Sequence, residues 1–235
     1  MIKYWRPEKI EEVNDSPGRV YSNRFLYDNL LKILPSKEVK MLDIGCGSGY
    51  IRKIFYDLGY KLFYTGVDIE KNKNFEQFNK YAVKSDFIKI KIEDFNTNNK
   101  YNLVFSISAL EHIDKDVLAV SKAREFLEKG GIQIHIIPTF WSVFLYLRHG
   151  YRRYTPVRFK KIFGDKFKVY RIGGLFSFFL HLFFITIPEI ILKNNKLRKS
   201  NIYPKLLNTA NKFDRFLPIF SSFYILVIKN ENKDL

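Results

Sequence analysis

Residues 41–49 read MLDIGCGSG, in which an apolar run leads directly into three closely spaced glycines. The run 39–44 predicts a short buried strand, and residues 50–58, which stop before Gly59, predict a helix. Glycines between two such elements allow a tight turn and let a ligand approach the backbone. The free N–H groups at the start of a helix attract an anionic group. The stretch therefore predicts a strand, a ligand-binding loop and a helix.

Along the rest of the chain, apolar runs alternate with glycine, proline and polar residues that end helices and strands. Further strands are predicted at 61–69, 87–92, 101–108, 132–137, 167–172 and 223–229, and further helices at 21–34, 116–128, 155–163 and 206–216. Lysines alternate with apolar residues in 87–92, which places that strand near a sheet edge. This order indicates an α/β fold, a Rossmann-like doubly wound sheet of about seven strands with helices on both faces. We expect an N-terminal helical segment (1–38), a Rossmann-like core (39–140) and a last part (141–235) with an apolar insertion at 173–220.

Composition narrows the class of protein. The 235 residues are 46% apolar, include one cysteine and carry a net charge of +16. Such a chain can bury an ordinary core, which excludes disordered, collagen-like and disulfide-scaffold proteins. Cys46 has no second cysteine to pair with, and residues 1–8 lack the apolar core of a signal peptide. We therefore expect a cytoplasmic protein.

The basic residues are concentrated late in the chain. Residues 1–140 carry 22 basic and 19 acidic side chains, whereas residues 141–235 carry 18 and 5. An excess of this kind is typical of proteins that bind nucleic acid or an anionic membrane. A codon-biased genome would also raise the content of lysine and phenylalanine. Such a bias explains poorly why the basic residues are concentrated in residues 141–235. The last part of the chain is therefore expected to face a lipid or another anionic partner.

Polar side chains lie at the carboxyl ends of four successive predicted strands, where open α/β sheets bind their ligands. The first loop has the spacing G-x-G-x-G after Asp43, not the G-x-G-x-x-G of dinucleotide-binding proteins. Asp68 ends the next strand, where a carboxylate can accept both hydroxyls of a ribose. The third strand runs into residues 93–95, which offer a carboxylate for an exocyclic amine and a ring for an adenine face. The fourth ends in residues 106–112, SISALEH.

The motifs MLDIGCGSG, VDI, IEDF, YNLVFSISALEHI and FLEKGG occur over residues 39–138 in the order and spacing of a known family. The chain resembles the class I S-adenosylmethionine-dependent methyltransferases, in particular the branch that acts on small or lipid-linked molecules, such as the ubiquinone-pathway O-methyltransferases. The resemblance implies a methyltransferase with S-adenosyl-L-methionine as its cofactor. It also implies the cofactor-binding residues Asp43, Gly45, Cys46, Gly47, Gly49, Asp68, Ile69, Asp94, Phe95 and Ile107. Arg24 lies where some relatives place a cofactor-contacting arginine.

Two positions depart from the family's usual pattern. Asn102 stands where an aspartate is usual, and Ser108 stands where a glutamate is frequent near the substrate, which leaves fewer candidate bases. His112, in the Leu-Glu-His segment, is the candidate general base because the pKa of histidine suits proton transfer near neutral pH. The alternative is that His112 only caps or orients the following helix.

A block of basic and aromatic residues, 148–156, follows the fifth predicted strand. Relatives that act on small or lipid-linked molecules commonly carry a similar block, and an arginine can clamp a phosphate or carboxylate with two hydrogen bonds. We therefore expect the acceptor to contact His149, Arg152, Arg153 and Tyr154. The alternative is a loop that leads into a helix and carries solvated arginines. The single cysteine and the scattered histidines offer no metal-ligand spacing.

Residues 175–192 form the most apolar stretch of the chain. His181, Pro188 and Glu189 within it argue against a membrane crossing. Basic residues flank it: Arg171, Lys193, Lys196, Arg198 and Lys199. We expect an in-plane contact with an anionic membrane, with a buried helix pair or a dimer surface as the alternative.

The sequence thus predicts O-methylation of a small amphiphilic, lipid-linked or glycan-linked acceptor by a protein that lies at a membrane surface. Nucleic acid is a less favoured partner. An RNA methyltransferase would explain the basicity, but no Asn/Asp-Pro-Pro-aromatic motif follows the fourth strand and no RNA-binding module is recognisable. A non-catalytic binding protein is a third interpretation, since fold does not fix function.

Overall fold

The computed structural model describes residues 2–11, 13–147, 150–164 and 166–230. Eight strands form one sheet in the order β1-β7-β8-β6-β5-β2-β3-β4. Their bounds are Ile2–Trp5 (β1), Glu38–Ile44 (β2), Lys61–Asp68 (β3), Lys84–Lys89 (β4), Tyr101–Ile107 (β5), Leu127–Pro138 (β6), Lys168–Ile172 (β7) and Phe223–Lys229 (β8). Within this sheet β8 runs antiparallel to both of its neighbours, and the other pairs are parallel. The predicted α/β fold is confirmed, with one strand more than expected.

Helices pack on both faces of this sheet. They are Pro17–Ile33 (α1), Ile51–Asp57 (α2), Asp116–Glu125 (α3), Val143–Tyr146 (α4), Pro156–Phe163 (α5), Leu175–His181 (α6) and Tyr203–Asp214 (α7). Alternation along β5 explains the two layers: Leu103 and Phe105 join the core under α1 and α2, whereas Val104 joins the core under α3. Strands buried on both faces are expected of a mostly parallel sheet.

Three local predictions differ from the structure. The additional strand, β1, pairs with β7 and extends the sheet at that edge. The edge strand β4 occupies 84–89 rather than 87–92. The helix α3 ends at Glu125, three residues early, because β6 begins at Leu127 and pairs with β5 on one side and β8 on the other. Pairing with neighbouring strands outweighs the local helical preference there.

The apolar insertion is partly buried and partly exposed. After α6 it continues as a wide π-type helix, Leu182–Ile191, and Leu180 and Ile185 join the core beside α1. The carboxylate of Asp214, on α7, accepts hydrogen bonds from the backbone N–H groups of Phe176 and Ser177, at 2.8 and 3.1 Å. This contact satisfies free donors at the start of α6. Among the residues that the structure describes, no helix is both long and apolar enough to cross a membrane.

Candidate functional site

The loop between β2 and α2 depends on its glycines. Gly45, Gly47 and Gly49 have φ angles of +63°, +51° and +64°, in the left-handed region that favours glycine. A Cβ at Gly45 would lie only 2.5 Å from the Cβ of Ala109, which follows β5. The N–H groups of Gly45 and Cys46 donate to the carbonyl of Val67 at the end of β3. The loop is thus pressed against the neighbouring strand ends and has no room for side chains at Gly45.

Asp68 ties this loop to the end of β3. One carboxylate oxygen accepts the N–H of Gly47 at 2.9 Å, and the other accepts the N–H of Ile69 at 2.7 Å. A carboxylate has about four acceptor sites. Asp68 therefore keeps the capacity to accept hydroxyl groups of a ligand that reaches the same edge of the sheet.

Two cavities open at the carboxyl ends of the strands. The larger, about 470 Å³, is here called the loop cavity, and its lining includes Gly45, Asp68, Ile69, Glu93, Ser108 and His112. The smaller, about 270 Å³, is called the arginine cavity, and its lining includes Arg19, Tyr50, Ser108, Glu111, Tyr146 and Arg153. Ser108 lines both cavities. Two ligands bound side by side would therefore meet at the end of β5.

Ser108 itself has an unusual backbone. Its φ angle is +47°, although it is not a glycine, and its N–H donates to the carbonyl of Ile136 at 2.9 Å. Residues held in this region cost about 1–3 kcal/mol and tend to cluster at functional sites. The position between the cavities agrees with that tendency.

Only some of the residues predicted to contact an adenine line the loop cavity. Ile69, with 65% of its surface exposed, lines the loop cavity as an apolar wall beside Asp68. Asp94 is exposed and does not line the cavity, and Phe95 is buried in the core against Phe126, at 5.3 Å between ring centroids. The short helical turn Ile92–Asp94 turns Glu93 toward the cavity in their place.

The remaining loop residues form a framework behind the cavities. Asp43 is buried and accepts a hydrogen bond from the Tyr64 hydroxyl at 2.6 Å. The buried guanidinium of Arg52 donates to the carbonyls of Ser48 and Gly49, at 3.1 and 3.0 Å. Sequence reasoning missed Arg52, because a basic residue on a short helix is usually solvated. The hydrogen bonds from Arg52 to these two carbonyls hold the glycine loop in place.

Burial raises the pKa of Asp43 to about 7, while the Tyr64 hydrogen bond and the charge of Arg52 oppose the shift. The folded carboxyl thus holds its proton to about pH 7, whereas an unfolded one loses it near pH 4. Its contribution to stability is therefore fully present below pH 4 and is lost as the pH rises to 7. Urea unfolding should show wild type losing on the order of 3 kcal/mol relative to Asp43→Asn across that range. Parallel stability curves for the two proteins would contradict this assignment.

Helix α1 contributes a different arginine from the one predicted. Arg24 forms an ion pair with Asp28 at 2.9 Å and lines neither cavity. Arg19, five positions earlier in the chain, lines the arginine cavity. Ile107, predicted to line the cofactor, also faces the arginine cavity.

The block 150–156 contributes fewer residues to the cavities than predicted. Arg152 donates to the carbonyls of Ile113 and Asp114, at 2.6 and 2.8 Å. Tyr154 is fully buried and donates to Asp116 at 3.0 Å. Their positions are those of structural anchors, so we do not assign the acceptor to them. Arg153 lines the arginine cavity, and His149 lies outside the described residues.

Two neighbouring residues that carry acid–base groups face different cavities. His112 lines the loop cavity, whereas Glu111 lines the arginine cavity. Glu111 is 1% exposed, and its Oε2 has no hydrogen-bond partner within the described part of the chain. Burial raises the pKa of Glu111 to about 7, and Arg153 opposes the shift. Sequence reasoning selected His112 and overlooked its neighbour, although both belong to the Leu-Glu-His segment.

Comparison with known proteins finds a matching domain family and solved structures with the same fold. Residues 42–135 match the family described as a methyltransferase domain. A curated relative, the ubiquinone biosynthesis O-methyltransferase of Pelagibacter ubique (strain HTCC1062), is 27% identical over 143 residues, which cover 55% of this chain. The match spans only 57% of that relative's length.

Solved structures share the fold across most of the chain. The plantazolicin methyltransferase BpumL, in complex with SAH, has a TM-score of 0.55 and 17% identity over 92% of this chain and 86% of its own. The cyclase SpnF has a TM-score of 0.61 and 12% identity over 98% of this chain and 87% of its own. Because a cyclase matches as well as a methyltransferase, these likenesses show the fold alone. Residues 42–135 thus match a methyltransferase domain, on a fold that the chain shares with these solved structures.

Proposed function

We propose that the protein transfers a methyl group from S-adenosylmethionine to a hydroxyl group of a small amphiphilic or lipid-linked acceptor. The observation that carries this proposal is the pair of cavities that meet at Ser108. One cavity has the lining of a nucleoside site, and the other is lined by a buried carboxylate and two arginines. A donor and an acceptor bound in them would meet at the end of β5.

The residues of the loop cavity fit the cofactor. Asp68 has spare acceptor capacity for the ribose hydroxyls, Ile69 offers an apolar wall to the base, and Glu93 offers an acceptor for its amine. When bound, the cofactor supplies a methyl group on a positively charged sulfur, already activated for displacement. The protein's task is then chiefly to hold the reacting groups close and aligned, which can contribute up to about 7–11 kcal/mol.

An exposed group of rings supports an amphiphilic acceptor. Phe140, Trp141, Phe144, Phe179 and Phe183, here called the aromatic surface, are each between 40% and 54% exposed. The rings form a continuous series through Phe220 and Phe178, with centroid separations from 4.4 to 6.4 Å. Contiguous apolar surface of this kind marks a site of contact with a lipid, a ligand or a protein.

The aromatic surface adjoins the arginine cavity along the chain. Pro138 and Tyr146 line the cavity, and the segment between them carries Phe140, Trp141 and Phe144. An acceptor whose reactive end occupies the cavity can therefore extend an apolar tail onto this surface. The positive charge of the last part of the chain supports contact with an anionic membrane. The exposed lysines at positions 193, 196 and 199 would face its headgroups. Arg198 instead pairs with Glu189 at 2.7 Å.

Vesicle flotation tests the membrane contact. Replacing Trp141 and Phe144 together by serine should weaken binding to anionic vesicles at least about tenfold, since each ring contributes about 1.5–3 kcal/mol when it leaves water. The matched control is Val83→Ser with Val157→Ser, which removes exposed apolar side chains outside the aromatic surface. Wild type that floats with neither neutral nor anionic vesicles would overturn the membrane contact.

The acceptor class is tested with methyl-labelled S-adenosylmethionine. The protein is incubated with three separate fractions of the cells that produce it: solvent-extractable compounds, RNA and protein. We expect label to enter the solvent-extractable fraction as an alkali-stable methyl ether. Label that enters RNA or protein instead would contradict the proposed acceptor.

A further inference from the structure

Glu111 is a buried carboxylate that faces the arginine cavity and that no residue of the described chain satisfies at Oε2. Burying a charged group without a partner costs free energy, so such groups mark sites where a ligand or a reaction uses them. We propose that Glu111 is the catalytic residue that takes the proton from the acceptor hydroxyl. This inference rests on the proposed methyl transfer to oxygen.

The backbone around Glu111 fixes the side chain in place. The carbonyl of Glu111 accepts the N–H of Tyr151 at 2.7 Å. Gly150 packs so closely that a Cβ there would lie 2.9 Å from this carbonyl and 3.0 Å from Cγ of Glu111. Gly150 also has a φ angle of +78°, which favours glycine. The segment that follows β6 therefore packs against Glu111 and leaves its side chain little room to move.

The charged and titratable groups near Glu111 come from three further elements. Arg153 and Tyr154 lie in the segment before α5, Tyr146 lies on α4, and Arg19 lines the same cavity from α1. Burial makes the protonated carboxyl more favourable, whereas Arg153 favours the carboxylate. The two influences leave a group that both accepts and releases a proton near neutral pH, the property that general base catalysis needs.

The proton step balances without any additional reactant. The O–H bond of the acceptor breaks, and its proton moves to Oε2 of Glu111. The oxygen electron pair that remains forms the bond to the methyl carbon, whose bonding pair to sulfur stays on sulfur. Glu111 then releases the proton to water, so that one proton leaves for each methyl group transferred.

The geometry separates this role from that of His112. His112 lines the loop cavity, where the cofactor is proposed to bind, and Glu111 lines the other cavity. A base must lie within hydrogen-bond reach of the proton that it removes. Glu111 lines the arginine cavity, so an acceptor bound there would lie beside it.

The first arm of the test measures the carboxyl directly in the cofactor-free protein. Infrared difference spectra are recorded across a pH titration of wild type, Glu111→Gln and Glu125→Gln, the last a matched change at an exposed site on α3. We expect two carboxyls that titrate near pH 7 in wild type and Glu125→Gln, of which that of Glu111 disappears in Glu111→Gln and that of Asp43 remains. Wild-type and Glu111→Gln titrations that coincide would overturn the proposal.

The second arm measures methyl transfer to the solvent-extractable fraction. Glu111→Gln should lower kcat about 100-fold and leave KM for the cofactor within about twofold, with the pH dependence near neutrality abolished. Glu125→Gln should behave as wild type. A Glu111→Gln protein that melts like wild type and keeps more than a third of the rate would overturn the proposal. Failure of methyl transfer as such would instead appear as a wild type that binds no cofactor.

Discussion

Replacing Arg52 by methionine should lower the free energy of unfolding by about 3–5 kcal/mol. The guanidinium is fully buried and donates to the carbonyls of Ser48, Gly49 and Phe75, and also to Asn79 and Ser85. It also lies over the rings of Phe75 and Tyr64, at 4.1 and 4.6 Å from their centroids. Methionine fills similar volume but donates a hydrogen bond to none of these acceptors, and each hydrogen bond to a charged group contributes about 1.5–3 kcal/mol.

The neighbouring residue supplies the control for Arg52. Lys53 is exposed and pairs with Asp57 on the same helix, so Lys53→Met should cost less than about 1 kcal/mol. Urea unfolding of both variants gives the comparison. Because Arg52 also anchors the glycine loop, its loss should weaken cofactor binding in protein that is still folded. An Arg52→Met protein as stable as Lys53→Met would show that the buried contacts do not hold the loop.

Replacing Asp68 by alanine should weaken binding of S-adenosylmethionine about 100-fold, since hydrogen bonds to a charged group contribute about 1.5–3 kcal/mol each. The carboxylate orders the loop through the N–H groups of Gly47 and Ile69, and it is placed to accept the ribose hydroxyls. Asp68→Ala removes both functions, whereas Asp68→Asn keeps part of the first. The two variants should therefore differ in affinity, with the asparagine intermediate.

Asp86→Ala is the control for Asp68. Asp86 lies on the adjacent strand β4, is exposed and pairs with Lys84. Its loss should leave the affinity for the cofactor within about twofold. Calorimetric titration measures all of these variants, and an Asp68→Ala protein with wild-type affinity would remove Asp68 from the site.

The strands and their functional ends were predictable because their signals are local. The run into Gly45 and the acid at the end of β3 follow from apolar patterning and from glycine chemistry, and the structure places Gly45, Asp68 and Ile69 on one cavity. The short turn Ile92–Asp94 brings Glu93, rather than the predicted Asp94 and Phe95, to the lining of this cavity. The order of these residues in the sequence does not show which of their side chains the turn directs toward the cavity.

The acceptor side was less predictable because its residues come from distant parts of the chain. Arg19 and Glu111 meet at one cavity only through the packing of α1 against the sheet. Arg152 and Tyr154 have the chemistry of ligand-binding residues, but the buried carboxylate of Asp116 engages both. Which polar side chains are satisfied internally depends on tertiary contacts.

Calorimetric titration of the purified 235-residue protein with S-adenosylmethionine, alongside Asp68→Ala, tests the cofactor site most directly. We expect saturable binding of one molecule per chain, weakened about 100-fold by the substitution. Absence of binding to the folded wild-type protein would contradict this expectation, as would equal affinity for the two proteins.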